Sequence, residues 1–236
     1  MMGQPLSVGL ICPGGGVKNP ENEMGKYKPD DVTILAERIP LAKIDVEVLS
    51  RFADEADGAA VRLAERGAQV IALNCTSGSF IRGAGYDREI IERLERSCGL
   101  PVTTTTTAVT EALTTLGIRK MAMVTPYPDA VNEIEIRFMR DSGYDVLSCK
   151  GLGIVQMNLV AQVPFDRIYS AVRDAFTPAC EGIFVSCAGF RVIDYIRGLE
   201  SDFGRSVVTS NQATLWKLMR MMGRTEDLKA GSLFTK

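Results

Sequence analysis

The sequence predicts an α/β fold of two similar halves, each built on a parallel sheet of about four strands, with the working site in the cleft between them. Three observations lead there. Short apolar runs alternate with longer amphipathic ones along the whole chain, as in strand–helix units whose parallel strands are covered on both faces. Gly67, Gly99, Gly117 and Gly143 stand just past predicted helix ends, where a left-handed cap favours glycine. The chain also repeats itself. VGLICPG from Val8 matches MAMVTPY from Met121 at an offset of 113, VIALNC ending at Cys75 matches GIFVSC ending at Cys187 at 112, and GLPVTTTT from Gly99 matches GRSVVTSN from Gly204 at 105.

Taken in order, the apolar runs predict strands at Leu6–Cys12, Val32–Ile39, Val70–Cys75, Val102–Thr106, Met121–Pro126, Tyr144–Leu152, Gly182–Cys187 and Ser206–Ser210. The amphipathic runs between them predict helices at Val46–Arg66, Asp87–Cys98, Ala108–Leu116, Asp129–Ser142, Phe165–Phe176, Val192–Glu200 and Ala213–Met222. The repeat assigns 1–107 with 211–236 to a first lobe and 108–210 to a second.

Composition narrows the function. With 236 residues, 46% hydrophobic and 24% charged, the chain is long enough to bury a sizeable core. A net charge of −2 offers no broad basic field for nucleic acid. No apolar run approaches the ~18 residues of a membrane span. The opening MMGQPLSVGLICPGGG lacks the charged start and long apolar stretch of a secretory signal, so a soluble, cytoplasmic protein is expected. The chain contains no histidine, which excludes Ser-His-Asp and Cys-His catalysis and any His-ligated metal. The six cysteines form no C-x-x-C pair, which argues against structural zinc and leaves free thiols as the expectation. Acid–base chemistry near neutral pH therefore falls to Cys, a perturbed carboxylate, Lys or Tyr. Gly14-Gly15-Gly16 follows the first strand, but no nucleotide fingerprint accompanies it.

Cys75 and Cys187 end equivalent strands of the two halves, and open α/β sheets bind ligands at those strand ends. Two thiols on opposite sides of a small acid suit two chemistries. One thiol removes a proton from carbon while the other delivers one to the opposite face. Alternatively, a thiolate adds to an activated double bond and leaves again after rotation. Either geometry asks for a sulfur–sulfur distance of about 6–9 Å. Backbone N–H groups at the turns, and a helix expected directly after Cys187, should favour thiolates, with Cys75 the resting thiolate and Cys187 the acid. Thr76 and Ser77 offer hydroxyls, and Ala188 and Gly189 allow close backbone approach, so these residues are candidates to cradle a carboxylate or enolate oxygen. Cys12, Cys98, Cys149 and Cys180 lack such surroundings and read as packing residues.

Four segments carry a family resemblance: NCTSGSFIRG around Cys75, LPVTTTTTAVTEAL from Leu100, MAMVTPYPDAVNE around Tyr127 and VSCAGF around Cys187. Over nearly its whole length the chain resembles the aspartate/glutamate racemase superfamily, in its maleate isomerase and arylmalonate decarboxylase branch. The resemblance implies two pseudo-symmetric Rossmann-like lobes, catalysis without cofactor or metal, a small carboxylate or dicarboxylate substrate and a homo-oligomer. It matches Cys75 and Cys187 to the paired cysteines of racemases and maleate isomerases; in the decarboxylases the first position is typically glycine. Tyr127 matches a substrate-carboxylate tyrosine, and Asn158 an isomerase asparagine. Thr76, Ser77 and the following SFIRG instead look like the decarboxylases' oxyanion segment. Where isomerases carry S-S-N-T after the first strand, this chain reads PGGGVKN, with Gly14 in the region of their asparagine, which points away from maleate itself. An isomerase or racemase working through both cysteines is thus the leading expectation. The alternatives are an arylmalonate-type decarboxylase with Cys187 as proton donor, and a non-catalytic small-acid binding protein.

Overall fold

The computed structural model describes residues 6–14 and 19–236; Gly15 and Gly16 of the glycine run lie outside the described residues. Strands β1 (Leu6–Gly14), β2 (Val32–Pro40), β3 (Val70–Leu73) and β4 (Val102–Thr104) form one sheet in the order β2-β1-β3-β4. Strands β5 (Lys120–Thr125), β6 (Asp145–Gly151), β7 (Gly182–Val185) and β8 (Ser206–Thr209) form the other in the order β6-β5-β7-β8. Every pairing is parallel.

The duplication extends to the register. Val8 pairs with Val70 in the first sheet and Met121 with Gly182 in the second, positions related by the offsets in the sequence. Ile71 pairs with Val102, and its counterpart Ile183 pairs with Val207. The helices that follow the last strand of each sheet begin alike. Helix α6 (Thr105–Thr115) is capped by Thr104, whose side chain accepts the Thr107 N–H, and α11 (Ser210–Met221) is capped by Thr209, whose side chain accepts the Gln212 N–H. β3 and β7 are buried along their whole lengths, as central parallel strands covered on both faces must be.

Two more helices cover the first sheet, α3 (Ala56–Glu65) and α5 (Tyr86–Cys98), and α2 (Val46–Phe52) precedes α3. The second sheet carries α7 (Asp129–Asp141), α9 (Phe165–Ala175) and α10 (Ile196–Phe203). The single helix expected over Val46–Arg66 is broken by a 3-10 turn at Ala53–Glu55. Arg93 donates to the Ala53 carbonyl and Arg82 to that of Ser50, so the break leaves these carbonyls with partners. Three short helices escape the hydrophobic periodicity altogether: α1 (Asn19–Gly25), α4 (Thr76–Phe80) and α8 (Met157–Val160). At four to seven residues, each is too short to show a 3.6-residue repeat. No helix among the described residues is long and apolar enough to cross a membrane.

Candidate active site

Cys75 stands two residues past β3 as the N-cap of α4, 2% exposed. Its sulfur takes the Gly78 backbone N–H and lies 3.9 Å from Ser77 Oγ. Gly78 has no room for a side chain, since an added Cβ would lie 2.6 Å from the Phe52 ring and 3.0 Å from Cys75 Sγ. The close approach that brings the N–H to the thiol thus depends on glycine.

Cys187 occupies the equivalent place, two residues past β7, and is 5% exposed. Its backbone lies at φ +100°, a region that costs a non-glycine residue about 1–3 kcal/mol. The strained turn aims the Gly189 N–H back at the sulfur, at 3.3 Å. No helix starts at Cys187, contrary to expectation: a turn and a 3-10 segment, Ile193–Tyr195, intervene before α10. The short helix α4 stands at Cys75 instead.

Neither thiol is activated by its surroundings. Burial pushes Cys75 up to about 12 and Cys187 up to about 11, although hydrogen bonds oppose the shift. Both are neutral at pH 7, so the expectation of Cys75 as a resting thiolate is not met: loss of water outweighs the N–H groups. Cys187 receives more help, from the backbone of Gly189 and Phe190 and from Tyr127, against Gly78 and Ser77 for Cys75. Each sulfur lies within electrostatic reach of Tyr127, and Cys75 within reach of Cys187.

Tyr127 follows β5 and is 1% exposed. Its N–H donates to Thr125 Oγ1 at 3.0 Å, and its carbonyl accepts Asn132 Nδ2 at 3.1 Å, fixing the turn into α7. The ring meets Phe80 of α4 edge-on at 6.2 Å, so it spans the two halves. The hydroxyl comes near Cys187 and Ser186 but makes no hydrogen bond of ordinary geometry among the described residues. A buried phenol without a well-formed hydrogen bond is costly, and an acidic oxygen bound beside it would supply one.

The remaining candidates divide. Thr76 Oγ1 donates to Ser210 Oγ at 2.9 Å, a contact between the halves. The Gly189 N–H serves the Cys187 sulfur, and the Ala188 carbonyl accepts Asn211 Nδ2 at 3.0 Å. Gly14 ends β1, where its carbonyl accepts the Leu41 N–H at 3.0 Å. Asn158 is exposed on α8 and stands outside the buried group, which α8 reaches through Val160 packed on Gly189. Cys12, read as a packing residue, is fully buried in β1.

Several members of the site carry no sequence motif. Ser210 Oγ accepts the Cys187 N–H as well as the Thr76 hydroxyl. Glu23 of α1 accepts the N–H groups of Val192 and Ile193 and, at 2.7 Å, Asn211 Nδ2, tying α1 to the segment after Cys187. Glu135 of α7 accepts the Ser186 hydroxyl at 2.6 Å. Among the described residues no group of His, Cys, Asp and Glu is arranged to hold a metal.

A sequence model of the arylmalonate decarboxylase family matches residues 8–234. The chain belongs to that family. Arylmalonate decarboxylase of Bordetella bronchiseptica is 31% identical over 227 residues, covering 95% of this chain and 94% of that protein. Maleate isomerase of Pseudomonas putida is 23% identical over 207 residues, covering 85% and 83%. Among solved structures, a mutant of arylmalonate decarboxylase in its liganded form, with one glycine changed to cysteine and one cysteine to serine, has a TM-score of 0.90 at 30% identity, covering 97% of this chain and 98% of that one. A maleate-bound variant of a Pseudomonas putida maleate isomerase has a TM-score of 0.93 at 22% identity, covering 98% and 97%, a likeness of fold. The family's two-sheet α/β architecture is the one that the repeat predicts.

Proposed function

We propose that this protein is a cofactor-independent isomerase or racemase of a small carboxylate or dicarboxylate, with Cys75 and Cys187 as the reacting pair. The observation that carries this reading is the equivalence of the two thiols: each lies two residues past the third strand of its sheet, buried, bonded by an N–H two or three residues onward, and near Tyr127. Tyr127, with its idle hydroxyl, receives a substrate carboxylate. Because burial holds both thiols neutral, one must give up its proton to solvent as the acid binds.

On an activated double bond, the Cys75 sulfur supplies an electron pair to one carbon while the Cys187 thiol gives its proton to the other. The single bond left between the carbons rotates, Cys187 takes the proton back, and the Cys75–carbon bond breaks to restore the thiolate. At a stereocentre, the Cys75 thiolate instead takes the carbon-bound proton, and Cys187 supplies another to the opposite face. Relatives are consistent with the first route: a Nocardia farcinica maleate isomerase mutant has been seen with a covalently bound succinylcysteine intermediate.

Decarboxylation of a malonate-type acid is the second reading. It draws on the 31% identity to arylmalonate decarboxylase and on the neutral Cys187 thiol, which suits protonation of an enediolate. Incubation with maleate, phenylmalonate and chiral amino acids in deuterated water separates the two. Fumarate, or solvent deuterium at a stereocentre, supports the isomerase; carbon dioxide release supports the decarboxylase. Binding that stabilises the fold without turnover of any of them would leave only the small-acid binding protein. The reading also includes a homo-oligomer in the cytoplasm; light scattering on the purified protein tests the assembly.

A further inference from the structure

Glu135 is a buried ionisable group that the two-thiol chemistry leaves unused. It sits on α7 with the core residues Val131, Phe138 and Met139 and is 1% exposed. Its Oε1 accepts the Ser186 hydroxyl at 2.6 Å; its Oε2 is buried without a hydrogen-bond partner among the described residues. Ser186 immediately precedes Cys187, whose strained backbone needs an anchor. Among the described residues a carboxylate here would have one hydrogen bond and no cation, whereas a carboxylic acid is tolerated. Burial accordingly pushes its pKa up to about 8. With Ser186 donating to Oε1, the acid's own proton belongs on Oε2.

The groups that feel a charge on Glu135 include two of the site. Its ionisation raises the pKa of Tyr127 and of Cys187, and on β6 that of Cys149, which Asp129 also raises. Helix α4, packed against α7, brings no ionisable side chain. The other charged residues of α7 near it, Glu133 and Arg137, face solvent.

We propose that Glu135 is a positioning residue of the site: un-ionised, it holds the Ser186 hydroxyl and so the turn that carries Cys187, and its ionisation closes the site to anionic substrates. An anion at this point opposes both the Cys187 thiolate and a carboxylate held by Tyr127. The second consequence rests on the function proposed above; the first does not.

The test is a titration of the Cys187 thiolate by its ultraviolet absorbance, read as the difference between each protein and its Cys187→Ala counterpart, with Glu135 present and as Glu135→Gln. The amide keeps an acceptor for Ser186 and removes the charge. Without that charge the thiolate fraction of Cys187 at about pH 9–10 should rise about threefold or more. Identical titrations overturn the proposal. No turnover is needed, so this failure is distinct from failure of the isomerase reading. For whichever candidate acid turns over, kcat/KM should fall through about pH 8, mainly by a rising KM, and Glu135→Gln should lose that limb. A limb unmoved by the substitution also overturns the proposal. Should Glu135→Gln fail to fold, the carboxyl carbon-13 shift of Glu135 in the natural chain decides: titration near pH 8 supports the proposal, and titration near 4.5 overturns it.

Discussion

The hydroxyl oxygen of Ser210 accepts the backbone N–H of Cys187 at 2.9 Å and, at the same distance, the hydroxyl of Thr76, the residue after Cys75. One atom at the start of α11 thus ties the turns that carry both thiols, and it does so across the two halves of the fold. The bond also restrains Cys187 at φ +100°, a conformation its own side chain disfavours.

Ser210→Ala should therefore damage both turns. Two buried donors lose their acceptor, at a cost of about 1–3 kcal/mol each, reduced where a donor finds a new partner. Denaturant unfolding should show the loss, and turnover should fall by tenfold or more as Cys187 drifts, since about 1.4 kcal/mol in the barrier is a factor of ten. Stability and rate both equal to the natural protein's would remove Ser210 from the site.

Tyr127→Phe separates fold from function by sign. The hydroxyl is buried and makes no hydrogen bond of ordinary geometry among the described residues, so its removal should leave stability unchanged or raise it. The same change deprives a bound carboxylate of a donor, a loss of about 1.5–3 kcal/mol, or roughly 10- to 150-fold in kcat/KM. Lowered stability with unchanged kinetics would make Tyr127 a structural residue.

Stability should decline as pH rises from about 4.5 to about 8, and again above pH 9. The folded protein holds Glu135 at about 8, whereas the unfolded chain ionises it near 4.5. Its contribution is full below 4.5 and is lost as pH rises through about 8, at no more than about 1.4 kcal/mol per pH unit. Cys12, Cys75 and Cys187, raised from 9.0, add a second decline above pH 9. Unfolding free energies across pH 4–10 check this, and Glu135→Gln should flatten the first slope.

The two sheets were legible because duplication leaves a constant spacing, and the spacing survives as register: Val8–Val70 and Met121–Gly182 are the same pair twice. Cys75 and Cys187 were legible as thiols ending equivalent strands, and Tyr127 only through the family resemblance. What lay hidden depends on three dimensions. Cys187 gained no helix because its backbone turns at positive φ, and no residue type announces that for a cysteine. The thiols' pKa values follow burial, which a motif does not carry. Glu135 and Asn132 did leave a signal, as polar residues among the buried positions Val131, Phe138 and Met139 on an otherwise apolar helix face. Ser210 left none beyond its place as the counterpart of Thr105.

The central claim is that two thiols act together on one small acid. The measurement that tests it most directly is product analysis by NMR in deuterated water, with maleate, phenylmalonate and chiral acids, for the natural protein and its Cys75→Ser and Cys187→Ser variants. Serine is barely ionised at neutral pH and cannot replace either thiol. The account predicts fumarate, or deuterium at a stereocentre, with the natural protein and neither with either variant. Isomerisation that persists in one variant, or carbon dioxide release that survives Cys75→Ser undiminished, would contradict it.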